Sequence, residues 1–164
     1  MSVTSTSDKV RHVRTEIDRL NAESPTASRF MDALTRLLQE KMLKYNWVGF
    51  YMLEPGAQPP MLALGKFQGA MTPHTRIALN QGICGAAASS GKTIVVDDVR
   101  NDPRYLACSI ETRSEIVVPI FVRGQVAGEL DIDSHFLSAF TQDDRELVEY
   151  CATAVGQRLE KEQR

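Results

Sequence analysis

The chain has 164 residues, of which 43% are hydrophobic and 24% charged, and this composition predicts one globular domain. Nineteen Lys and Arg stand against twenty-one Asp and Glu, a net charge of −2 with both signs scattered along the sequence. This balance argues against a surface for nucleic acid or anionic membrane. No apolar run has the length of a membrane span, and the N-terminus shows no signal-peptide pattern, so we expect a cytoplasmic protein.

The first forty residues predict two amphipathic helices. Apolar residues recur at helical spacing in the segment 10–20 and again in the segment 30–42. Ser24 and Pro25 suit the N-cap and the first position of the second helix.

The middle of the chain changes to strand-forming residues. The segments 46–53 and 61–67 flank a turn-rich stretch and predict a hairpin. A short strand is expected at 75–79, and the small residues that follow predict a short helix that ends at Gly91. Another strand is expected at 93–96.

A polar loop with one helical turn near Cys108 is expected next, before a second hairpin formed by the segments 115–122 and 125–133. The last helix is expected to begin at Thr141, where Asp144 completes a capping box. Strands that follow one another in hairpins predict an α+β sandwich. In it, a mostly antiparallel sheet carries the terminal helices on one face and loop segments on the other.

Acidic residues alternate along the last predicted strand. Because successive side chains point to opposite faces, Glu129, Asp131 and Asp133 share one face of the sheet. One interpretation is a solvated outer face. The other includes Glu115 from the paired strand, which would give a carboxylate cluster with raised pKa values, able to supply general acids and to bind an amino group.

Three cysteines, an odd number in a chain expected to be intracellular, argue against a disulfide framework. No C-x-x-C pair or close His partner is present, which argues against a zinc site. Cys151 lies on the apolar stripe of the last helix, where it is expected to be a core residue. Cys84 stands between glycine-rich positions at the start of a helix, where the helix dipole favours a thiolate. Cys108 lies in the polar loop. Cys84 and Cys108 can each be structural or reactive. The only tryptophan, Trp47, is a core residue or a ligand platform.

Several motifs resemble one known family when they are taken together and in order. From about residue 26 to the end, they are NWVGFY, GKFQG, GICGAA, ACSIETRSEIVVPIF, GELDIDS and FTQDDRELVE. The chain resembles the GAF-domain free methionine-(R)-sulfoxide reductases. The resemblance implies a GAF fold with a six-stranded, mostly antiparallel sheet flanked by helices in residues 26–164. It also implies a homodimer, with the helix in residues 1–25 at the interface.

The resemblance assigns roles to the cysteines. It implies that Cys108 attacks the sulfur of free L-methionine-(R)-sulfoxide and becomes a sulfenic acid. Cys84 then forms a disulfide with it, and thioredoxin reduces this disulfide. The first of the three family cysteines is replaced here by His74, which from its own context is a turn residue.

The resemblance also implies a substrate site without a cofactor or a metal. Three carboxyls would bind the amino group and help to protonate the sulfoxide oxygen, and the tryptophan would pack against the methyl group. The predicted substrate-binding residues are Trp47, Tyr51, Glu115, Asp131 and Asp133. Since the first family cysteine is missing, the alternative is a non-catalytic GAF sensor, which binds a small molecule or responds to oxidation and signals through a partner.

Overall fold

A computed structural model of the chain describes residues 6–107 and 109–163. The helices are α1 (Thr6–Glu23), α2 (Ala27–Lys41), α3 (Gly82–Ser90) and α4 (Gln142–Glu162). The strands are β1 (Trp47–Leu53), β2 (Met61–Gln68), β3 (Arg76–Ala78), β4 (Ile94–Val96), β5 (Ser114–Val122) and β6 (Gln125–Ser134). Within the described ranges, no helix is long and apolar enough to cross a bilayer.

The six strands form one sheet in the order β3-β2-β1-β6-β5-β4, and every neighbouring pair is antiparallel. The two central strands, β1 and β6, pair with each other. Both predicted hairpins, β1 with β2 and β5 with β6, are confirmed. The predicted α+β architecture with an antiparallel sheet is therefore confirmed.

The sheet separates two hydrophobic cores. The larger core lies under α1, α2 and α4, and its members include Val13, Ile17, Leu130, Ile132 and Cys151. The smaller core lies on the opposite face under α3 and the segment that follows β4. The capping box at Thr141 is confirmed and fixes the start of α4.

Two local predictions are wrong. The N-cap of α2 is Thr26 rather than Ser24, because the Thr26 hydroxyl accepts a hydrogen bond from the Arg29 amide. The helical turn in the long loop lies at Val99–Asn101, where the Asp98 side chain caps it, and not beside Cys108. Cys108 itself lies outside the described residues, between Ala107 and Ser109.

Candidate active site

Four carboxyls are buried together on the face of the sheet that carries α3. We call Glu115, Glu129, Asp131 and Asp133 the acidic cluster, and each is at most 5% exposed. The strand register brings them together, because Glu115 on β5 lies directly opposite Asp133 on β6. The interpretation of this face as a solvated surface is wrong, since α3 packs against both β5 and β6.

Burial and mutual repulsion oppose the ionisation of these carboxyls. Burial raises the pKa of all four, and the charge of Asp131 raises the pKa of Glu115, Glu129 and Asp133 further. One oxygen of Asp131, one of Asp133 and both of Glu129 are buried without a hydrogen-bond partner among the described residues. The cluster therefore holds proton-donating carboxyls and unused acceptor atoms in one place.

Cys84 lies at the start of α3 and faces the acidic cluster. Its thiol donates a hydrogen bond to Oδ2 of Asp131 over 3.3 Å. Burial, followed by the charges of Asp131, Glu129 and Glu115, raises the pKa of the Cys84 thiol well above its usual value. The expectation that the helix dipole favours a thiolate here is wrong, because desolvation and neighbouring carboxyls oppose it.

Residues of the predicted site line two neighbouring cavities. The inner cavity, about 20 Å³, has room for one water-sized group and is lined by Tyr51, Cys84, Leu106, Glu115 and Asp131 among others. The outer cavity, about 100 Å³, is lined by Trp47, Ser109 and Asp133 among others. Glu115, which lines the inner cavity, lies directly opposite Asp133, which lines the outer cavity, so the two cavities are neighbours along the acidic cluster.

Trp47 forms one wall of the outer cavity. Its indole stacks on Phe67 and Tyr51, with ring centroids 5.7 and 6.2 Å away, and its Nε1 donates to the carbonyl of Ala70 over 3.0 Å. A Cβ atom at Gly49 would come within 2.3 Å of this indole, so glycine is required for the ring to lie across the strand. Trp47 is only partly buried, which suits a platform for a ligand.

His74 has more contacts than a turn residue needs. Its backbone carbonyl accepts a hydrogen bond from the Tyr51 hydroxyl over 2.7 Å. Its ring Nε2 lies 3.1 Å from the carbonyl of Ala107 and donates to it, because a carbonyl can only accept. His74 therefore links β1 to the segment immediately before Cys108.

Two further residues complete the assignment of the predicted positions. Cys151 is fully buried in the larger core, where burial raises the pKa of its thiol to about 12, so the expectation of a core residue is confirmed.

Glu129 was in the alternating acidic pattern but outside the predicted substrate-binding set. Its complete burial could not be read from the sequence, because the pattern does not show what covers the face.

Comparisons with known proteins identify the family of the chain. A model of the GAF domain family matches residues 26–159. The chain is 38% identical over 110 residues to the free methionine-R-sulfoxide reductase of Escherichia coli, a match that spans 67% of this chain and 64% of that protein. It is 39% identical over 111 residues to GAF domain-containing protein A of Dictyostelium discoideum, spanning 68% of this chain and 67% of that protein.

One similar solved structure overlaps nearly the full length of both chains. The X-ray structure of the free methionine-R-sulfoxide reductase of Neisseria meningitidis in complex with its substrate superposes with a TM-score of 0.90 at 32% identity. The superposition covers 100% of this chain and 97% of that one. The chain therefore belongs to the GAF domain family, and within that family it is strongly similar to the free methionine-R-sulfoxide reductases.

Proposed function

We propose that the protein reduces free L-methionine-(R)-sulfoxide to methionine. The observation that carries this proposal is the buried acidic cluster, in which Glu115 and Asp131 line the inner cavity, Asp133 lines the outer cavity, and Asp131 accepts a hydrogen bond from the Cys84 thiol. A buried carboxyl with an unused oxygen is stabilised by a ligand that donates hydrogen bonds or carries positive charge. A free amino acid offers both in its ammonium group.

The cavities suggest how such a substrate would bind. The ammonium group would donate to the unpartnered oxygens of Asp131 and Asp133. The methyl group would lie against the indole of Trp47, beside the outer cavity. Tyr51 and Glu115 would close the inner end, where Glu115 is well placed to remain protonated.

The proposed reaction begins with Cys108 as the nucleophile. Its thiolate attacks the sulfoxide sulfur while a carboxyl of the acidic cluster donates a proton to the sulfoxide oxygen. The oxygen is then transferred to the sulfur of Cys108, which becomes a sulfenic acid, and methionine leaves with its sulfur reduced by two electrons. The raised pKa values of Glu115 and Asp133 support this step, since a raised pKa favours the protonated form that can donate.

Cys84 is the proposed resolving thiol. Its attack on the sulfenic acid would form a Cys84–Cys108 disulfide and release water, and thioredoxin would reduce the disulfide by exchange. Leu106, two residues before Cys108, lines the inner cavity together with Cys84 and anchors the loop near α3. The position that we align with the first family cysteine is His74, so we propose that Cys84 resolves alone.

We also propose a homodimer in which residues 1–25 contribute to the interface. Helix α1 buries Val13 and Ile17 against its own chain and leaves Arg11, Thr15 and Asp18 exposed on the opposite side. Light scattering coupled to size exclusion should give twice the 18.3 kDa chain mass. A mass equal to one chain at micromolar concentration would contradict the dimer.

A second candidate function is a GAF sensor without turnover. His74 at the proposed position of a family cysteine supports it. In this case the same cavities would hold a small amine-bearing ligand, and a partner would respond to the bound state.

One assay separates the two candidates. The protein is incubated with thioredoxin, thioredoxin reductase, NADPH and either epimer of free L-methionine sulfoxide. We expect NADPH consumption with the (R)-epimer, and background rates with the (S)-epimer and with a peptide-bound sulfoxide, which lacks the free ammonium group. Background rates with the free (R)-epimer, with thioredoxin and also with dithiothreitol, would exclude the reductase and leave the sensor.

A further inference from the structure

Three ligand atoms of the buried face already lie close enough to share one metal ion. The Cys84 thiol, the Glu115 carboxyl and the Asp131 carboxyl each offer an atom, and these atoms all lie within 4.8 Å of one another. Around a tetrahedral Zn²⁺ with bonds of 2.0–2.3 Å, neighbouring ligand atoms are roughly 3.3–3.7 Å apart. The Sγ of Cys84 and the Oδ2 of Asp131, at 3.3 Å, are already at this spacing.

Glu129 is a further buried carboxyl beside these three ligand residues. It is fully buried, and neither of its carboxyl oxygens has a hydrogen-bond partner among the described residues. Glu129 lies two residues before Asp131 on β6, so its side chain is on the same face of the sheet as Asp131, which accepts the hydrogen bond of the Cys84 thiol. Asp131 also keeps one buried oxygen, Oδ1, without such a partner. Buried carboxyl oxygens without a hydrogen-bond partner are costly, and a cation that binds them and displaces the carboxyl proton would offset this cost.

Basic side chains do not balance these acids in the described part of the chain, where no Lys or Arg forms an ion pair with Glu115, Glu129, Asp131 or Asp133. A divalent cation would supply the missing positive charge. The sulfur ligand selects a thiophilic ion such as Zn²⁺ over Mg²⁺ or Ca²⁺, which prefer oxygen alone.

We propose that Cys84, Glu115 and Asp131 form a binding site for one Zn²⁺ per chain, with Glu129 beside it. Binding would replace the thiol proton of Cys84 by the metal and release that proton to solvent. The ion would occupy the inner cavity and prevent the Cys84 thiol from reacting as a nucleophile. If the proposed function is correct, Zn²⁺ also competes with the substrate for Glu115 and Asp131, and only this competition rests on the proposed function.

The test is equilibrium binding of Zn²⁺ to the reduced, metal-free full-length protein, measured without substrate by isothermal titration calorimetry. We expect one Zn²⁺ per chain and no uptake of Mg²⁺ under the same conditions. Cys84→Ser and Glu115→Gln should each weaken binding at least tenfold. Cys151→Ser, which alters a buried thiol on the opposite face of the sheet, and Asp143→Asn, which alters an exposed carboxylate, should leave binding unchanged.

Two further measurements test whether the ion binds at these residues. Cys108→Ser should retain full affinity, and its loss of binding would move the site to the loop and overturn the proposal. Co²⁺ bound to the unmutated protein should show thiolate-to-metal charge-transfer absorption, which needs no variant to fold. Its absence would overturn the proposal, as would undiminished Zn²⁺ binding by Cys84→Ser or no binding by the unmutated chain. None of these readouts depends on reductase activity.

Discussion

Replacing Glu129 by Met is expected to stabilise the protein at neutral pH. The Glu129 carboxyl is fully buried and its oxygens have no hydrogen-bond partner among the described residues. A buried polar group in this state costs about 1–3 kcal/mol of folding free energy. Met has a similar length and no polar group to desolvate, so Glu129→Met should raise the free energy of unfolding by about 1–3 kcal/mol at pH 7.5. In a chain of this size that is roughly 2–12 °C in Tm.

The stability that Glu129→Met gains over the unmutated protein should increase as the pH rises. Burial, and then the charge of Asp131, raises the pKa of Glu129 well above its usual value, which is about 4.3 in an unfolded chain. Above about pH 4.3 the unfolded state releases this proton while the folded state keeps it. The group therefore lowers stability by up to about 1.4 kcal/mol per pH unit until the pH passes the folded pKa. Below about pH 4 both states are protonated, and this part of the gain disappears.

The measurement is urea denaturation of both proteins between pH 4 and pH 8, in buffer with EDTA. Glu146→Met, at an exposed position of α4, is the matched control and should change stability by less than about 0.5 kcal/mol. A destabilised Glu129→Met, or a difference from the unmutated protein that shrinks as the pH rises, would refute the reasoning. In that case the carboxyl is ionised and satisfied in the folded state.

Three further perturbations test the site. Glu115→Gln and Asp131→Asn should each lower kcat/KM for the free sulfoxide about tenfold or more; unchanged kinetics, with Asp143→Asn as the exposed control, would place the substrate elsewhere. Gly49→Ala should displace the indole of Trp47, whose ring lies 2.3 Å from the new Cβ, and cost about 1–3 kcal/mol; an unaltered fluorescence spectrum of this single tryptophan would contradict the stacked geometry. Cys84→Ser should release one methionine per chain and stop with a dimedone-reactive Cys108, whereas Cys151→Ser should turn over normally; continued turnover by Cys84→Ser would mean that thioredoxin reduces Cys108 directly.

Local patterns were sufficient for most of the fold. Strand-forming segments separated by short turns predicted both hairpins, and the Thr141–Asp144 spacing predicted the capping box of α4. These features depend on residues close in sequence. The α2 N-cap was misplaced by two residues, because Ser24 and Thr26 both suit a cap and only the backbone geometry selects Thr26.

The candidate site was predictable only in part. Alternation correctly placed Glu129, Asp131 and Asp133 on one face, but periodicity does not reveal whether that face is covered. The state of Cys84 was mispredicted for the same reason. Its local position at a helix start favours a thiolate, and the distant carboxyls of β5 and β6, which determine its pKa, are brought near only by the folded sheet.

The most direct test of the reductase mechanism is a single turnover without any reductant. The fully reduced protein is mixed with excess free L-methionine-(R)-sulfoxide, quenched, and assayed for methionine and for oxidised cysteines by peptide mass spectrometry. From the proposed mechanism we expect one methionine per chain, a Cys84–Cys108 disulfide, and no product from Cys108→Ser. Cys84 and Cys151 lie in cores on opposite faces of the sheet. A Cys84–Cys151 disulfide, full product from Cys108→Ser, or no methionine at all would contradict it.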